Sequence, residues 1–113
     1  MPRRCAVLGD PIEHSLSPVL HRAAYDELGL DWSYDAVRVP AGGLAAFIDG
    51  LDGEWRGLSL TMPLKREVLS LLTSQDDWTR VSGAANTVLL DVSGGRHGLN
   101  TDVPGAEAAL AQA

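Results

Sequence analysis

Cys5-Ala6-Val7-Leu8-Gly9-Asp10-Pro11-Ile12-Glu13-His14-Ser15-Leu16-Ser17-Pro18 decides the fold class. Its first four residues form a compact apolar run closed by Gly9-Asp10-Pro11, the pattern of a buried strand entering a loop. Ser17-Pro18 then opens a helix, because serine can satisfy orphan backbone N–H groups and proline suits the first helical turn. Val19, Leu20, Ala23, Ala24 and Leu28 follow at helical spacing, and Gly29 supplies the stop. A strand passing through a loop into a helix is the opening unit of an α/β domain.

Outward from that stretch the alternation continues. Tyr34 to Val39 is rich in strand formers and ends at Pro40, and Leu44, Ala45, Phe47, Ile48 and Leu51 make a short helix. Leu58 to Thr61 reads as a third strand, after which Pro63 opens a helix through Val68, Leu69, Leu71 and Leu72. A short helical or turn segment is expected around Trp78 to Val81. Thr87 to Asp91 reads as a strand, Ser93-Gly94-Gly95 as a hairpin turn, and His97-Gly98-Leu99 as its return. A last helix is expected from Asp102-Val103-Pro104 through Ala106, Ala109 and Leu110 to the chain end. The expected architecture is a three-layer α/β sandwich with a mainly parallel, partly mixed sheet flanked by helices, the hairpin making one strand antiparallel.

Composition bounds the function. At 113 residues the chain is one domain, since about 100–200 residues is the usual allotment. Hydrophobic types make up 45% and charged types only 21%, which excludes a disordered chain. A net charge of −6 argues against nucleic acid or an anionic membrane as partner. The single Cys5 permits no internal disulfide and no cysteine-based metal site; with no long apolar run, a cytoplasmic location is expected. No metal site is expected, because His14, His21 and His97 lack ligand spacing and read as loop, helix-surface and hairpin residues. Cys5, inside a strand, reads as core. Lys65 is the only lysine among nine basic residues.

In a sheet of this kind ligands bind where loops leave the carboxyl ends of strands. The loops that qualify follow Leu8 and Leu60, surround Asn86, and follow Leu99. In the first, Ser15 and Ser17 place two hydroxyls at a helix start, a natural anion receptor; alternatively Ser17 only caps the helix. In the second, Thr61 stands at a strand end and Lys65 falls in the first turn of a helix. A cation there is electrostatically misplaced, which suits a proton-transfer group; the alternative is a solvated lysine beside Arg66 and Glu67. Asn86 offers a donor and an acceptor to a ligand hydroxyl. Asp102 either caps the last helix or faces Lys65 to orient a bound hydroxyl. Neither Gly-x-Gly-x-x-Gly nor Gly-x-x-x-x-Gly-Lys-Ser/Thr occurs.

Together, Gly9-Asp10-Pro11-Ile12-Glu13-His14-Ser15-Leu16-Ser17-Pro18, Leu60-Thr61-Met62-Pro63-Leu64-Lys65, Gly83-Ala84-Ala85-Asn86-Thr87 and Asn100-Thr101-Asp102 resemble the loops of shikimate dehydrogenases. Members of that family are oxidoreductases of aromatic amino-acid biosynthesis that reversibly reduce 3-dehydroshikimate to shikimate. Their N-terminal domain binds substrate, and a following Rossmann domain binds NADP. The resemblance implies that Ser15 and Ser17 bind the substrate carboxylate, that Thr61 adds a polar contact and that Asn86 binds ring hydroxyls. It also implies that Lys65 and Asp102 form the pair at the reacting oxygen. That pairing explains why the one lysine is not arginine, which holds its proton too tightly for such work.

Ser59 stands where many members have Asn. A ring-hydroxyl contact is then lost, routed through water or made by Ser59 itself, which leaves shikimate against quinate open. Leu99 also replaces a residue often polar in the family. By the same resemblance, residues 1–102 form the substrate-binding domain and 103–113 begin the helix leading to an absent NADP-binding Rossmann domain. The chain alone is then expected to be inactive and to bind no cofactor, as a monomer or a homodimer. The alternative is a stand-alone, non-catalytic binding or sensor module for a hydroxylated cyclic carboxylic acid.

Overall fold

The computed structural model describes residues 2–111. Six strands form one sheet: β1 (Arg3–Gly9), β2 (Trp32–Arg38), β3 (Trp55–Leu60), β4 (Ser74–Gln75), β5 (Thr87–Leu90) and β6 (Arg96–Leu99). Their order is β2-β1-β3-β5-β6-β4. β1 pairs in parallel with β2 and β3, and β4 with β6, while β5 runs antiparallel to both neighbours. The helices are α1 (Ser17–Leu28), α2 (Leu44–Asp49), α3 (Asp77–Ser82) and α4 (Asp102–Ala111), with a 3₁₀ helix at Glu67–Leu71. The α/β sandwich with a mainly parallel, partly mixed sheet is as expected from the sequence. Only the final two residues assigned to the last helix lie outside the described residues.

Alternation along β1 sorts its side chains into two cores, as the period of two requires. Ala6 and Leu8 join Leu44, Ile48, Leu58, Leu60, Leu64, Val68 and Val88 beneath α2 and the 3₁₀ helix. Cys5 and Val7 join Ile12 and Tyr34, with Tyr25 of α1 packed against them. The second cluster is the smaller, because α1 covers only part of its face. Past the N-terminal end of α1 that face stays open, and the pocket occupies it.

Two local expectations need correction. Pro63 does not open an α-helix: turns occupy 62–63 and 65–66, and a 3₁₀ helix begins at Glu67. The cause is competition for one acceptor. The Lys65 carbonyl takes the N–H of Ala85 at 2.8 Å, so Leu69 N–H bonds Arg66 instead, closing the shorter i→i+3 ring. Lys65 therefore sits in a turn, and the helix-dipole argument does not apply to it. Ser17 does not cap α1: it is the helix's first residue, Leu16 before it makes no side-chain cap, and the Ser15 hydroxyl accepts from Ser17 N–H at 3.3 Å. The apolar residues that gave α1 its helical spacing lie largely in solvent, with Val19, Leu20 and Leu28 each more than 60% exposed.

Candidate functional site

Four loops meet at one edge of the sheet because of strand direction. The ends of β1, β3 and β6 and the start of antiparallel β5 all lie there, at the switch position where α/β sheets bind ligands. Register then lays a row across the floor: Val7 opposite Ser59, and Ser59 opposite Thr87. The resulting open pocket of about 600 Å³ is lined by all seven residues singled out from the sequence: Ser15, Ser17, Ser59, Thr61, Lys65, Asn86 and Asp102. Gly9 lets the first two loops close together, since a Cβ there would collide with the Thr61 side chain and sit 2.9 Å from the Met62 carbonyl oxygen.

The polar centre is a network around Lys65. Its Nζ donates to Asp102 Oδ2 at 2.8 Å, while Asn86 Nδ2 donates to Asp102 Oδ1 at 3.0 Å and to Thr101 Oγ1 at 2.7 Å. Thr87 hydroxyl and Thr101 N–H both donate to Asn86 Oδ1. The Lys65 hydrogen bond holds the Asp102 carboxyl below its ordinary value, with Lys65 charge and the Asn86 amide adding to it against partial desolvation. Side-chain exposures of 36% and 55% make this a water-accessible ion pair. Such a pair adds only about 0–1 kcal/mol to stability, so holding α4 in place is not what the contact accomplishes.

Asn100 does that instead. It is 4% exposed, and its Oδ1 accepts from the N–H groups of Asp102 at 2.9 Å and Val103 at 3.1 Å, capping α4. Its Nδ2 donates to Ser82 Oγ and to the Ala84 carbonyl. Asp102 is thereby released from the capping role that its position at a helix start suggested, and its carboxylate is free for Lys65.

Sequence reasoning missed part of the wall. His14 and His21 line the pocket, as do Thr87 and Thr101. His21, read as helix surface, lies one turn after Ser17 and so on the same face of α1, a spacing that places it toward whatever Ser17 faces. His97 and Cys5 are elsewhere. His97 on the hairpin bonds Asp91 and Ser74 of β4, and Cys5 is buried in the smaller core, where desolvation raises its thiol.

Against known proteins, a family model described as the shikimate dehydrogenase substrate binding domain matches residues 7–88. A shikimate dehydrogenase (NADP(+)) of Methanothrix thermoacetophila is 49% identical over 106 residues, covering 93% of this chain and 38% of that protein. The crystal structure of a shikimate 5-dehydrogenase from Mycobacterium fortuitum superposes with a TM-score of 0.91 at 43% identity, covering 98% of this chain and 42% of that one. A Thermus thermophilus shikimate 5-dehydrogenase solved in complex with shikimate gives 0.88 at 42% identity, covering 97% and 42%. The chain thus spans about two fifths of the length of the proteins it matches.

Proposed function

Since the chain belongs to the family of shikimate dehydrogenase substrate-binding domains, we propose that its pocket binds shikimate and 3-dehydroshikimate for an NADP-dependent dehydrogenase. The hydroxyls of Ser15 and Ser17 take the carboxylate, and Asn86 takes a ring hydroxyl. Ser59 and Thr61 add polar contacts along the floor. Lys65 and Asp102 stand at the reacting oxygen. In the reducing direction that oxygen gains charge as hydride reaches its carbon, and Lys65 gives it a proton; in the oxidising direction Lys65 takes the proton back. Asp102 accepts from the neighbouring hydroxyl and keeps the amine in register.

NADP supplies or receives the hydride when bound, but the residues of this chain do not fit it. The loop after β1, where a dinucleotide fold cradles phosphate, carries Pro11 without an N–H and turns Ile12 into the core. We place the cofactor on a further domain, in keeping with the two fifths of the relatives that this chain spans.

The observation that carries the enzymatic reading is the Lys65–Asp102 contact at 2.8 Å inside a wall of hydroxyls. A sensor module needs the hydroxyls and the amide but no amine–carboxylate pair at the ligand. In the enzyme that carries this chain with its NADP domain, Lys65→Ala lowers turnover by about 10²–10⁴-fold, the range for losing a general acid–base group. Near-normal turnover in a steady-state assay contradicts the role of Lys65.

A further inference from the structure

One wall of the pocket is held by an aromatic stack. His21 lies face to face with Tyr34, ring centroids 4.1 Å apart and planes 7° from parallel. His21 Nδ1 is 2.9 Å from the Ser17 carbonyl oxygen, which can only accept, so Nδ1 carries the proton and the ring plane is fixed from one side. Tyr34 is 2% exposed and fixes it from the other. The Tyr34 hydroxyl donates to Ser59 Oγ at 2.6 Å, across from β2 to β3. Ser59, in turn, faces the pocket.

A serine whose oxygen already receives a proton has its own O–H left to give. Tyr34 thus turns Ser59 into a donor toward the ligand; Cys5, Val7 and Ile12 hold the Tyr34 ring in the smaller core, and His21 stacks on its face. We infer that His21 is a positioning residue that, through Tyr34, sets the Ser59 hydroxyl as a donor to an acceptor oxygen of the ligand. This rests on the proposed binding of shikimate for its ligand, though not for its geometry. Ser59 then supplies one directed donor, backed by the buried Tyr34 phenol. His21 bonds the Ser17 carbonyl and makes no hydrogen bond to the Lys65–Asp102 pair.

The test is a double-mutant cycle on this chain, with shikimate as the probe, read by calorimetry or NMR titration. His21→Ala weakens shikimate binding about tenfold, as expected for one misdirected hydrogen bond. In a Ser59→Ala background the same change costs almost nothing, because the group it positions is gone. His21→Phe, which keeps the stacked ring, restores most of the affinity. An equal loss with and without Ser59 overturns the inference. A second reading needs no ligand: in the free chain His21→Ala shifts the Tyr34 ring and Ser59 Cβ resonances, and His21→Phe returns them, while Leu58 and Val88 methyl signals stay put. Unmoved Tyr34 and Ser59 signals overturn the inference whether or not shikimate binds. Absence of wild-type binding with those signals moving contradicts the choice of ligand alone.

Discussion

Asn100 and Asp102 share the start of one helix, and their division of labour sets the chemistry of the site. Asn100 caps the backbone with its amide oxygen, and Asp102 turns outward to Lys65. Asn100→Ala removes the cap and leaves the half-buried Ala84 carbonyl without its side-chain partner, costing about 1–3 kcal/mol in chemical denaturation. Lys65→Met leaves stability within about 1 kcal/mol of wild type, because the pair it breaks is open to water. Asp102 reports the pair directly. Its folded-state carboxyl lies below the ordinary 3.8, so the stability it adds is present above that value and lost as pH falls through the depressed one. A carbonyl ¹³C titration should place the Asp102 midpoint below 3.8, and Lys65→Met should move it upward. A midpoint indifferent to Lys65 would mean that the two groups do not meet in solution.

At the scale of elements, α2 depends on a residue that belongs to another one. Gly43 at its start offers no side-chain cap, and the Glu67 carboxylate accepts instead from Gly42 N–H at 2.7 Å and Leu44 N–H at 3.1 Å. Glu67→Ala therefore destabilises the domain by about 1–2 kcal/mol in thermal melts, although Glu67 looks like an ordinary surface acid in sequence. The strands were legible because Val7, Leu58 and Val88 sit in short apolar runs closed by Gly, Pro or polar residues. The two residues of β4 carry no such run; they are strand only because β6 lies beside them. The 3₁₀ helix was illegible for a related reason, its register being set by the distant N–H of Ala85. In the site, the residue types announced hydroxyl and amide chemistry. That Asn100 rather than Asp102 caps α4, and that His21 reaches the pocket through a stack on Tyr34, depends on packing between elements that no local pattern encodes.

On the scale of the whole molecule, the two faces of the sheet differ in purpose. The face under α2 carries the main core, and the other is given over to α1, an aromatic cluster and the pocket. No helix among the described residues is long and apolar enough to cross a membrane. α1 still presents Val19, Leu20 and Leu28 to solvent, as does Leu16 just before it, so the apolar spacing announced a helix without announcing a buried one. Four loops spread along the chain are proposed to make one shikimate site. An amide NMR titration of this chain with shikimate at millimolar concentration tests it most directly. Saturable shifts are expected at Ser15, Ser17, Asn86 and Asp102 together, with the α2 face unmoved. Shifts confined to other regions, or no saturable shift at all, would contradict it.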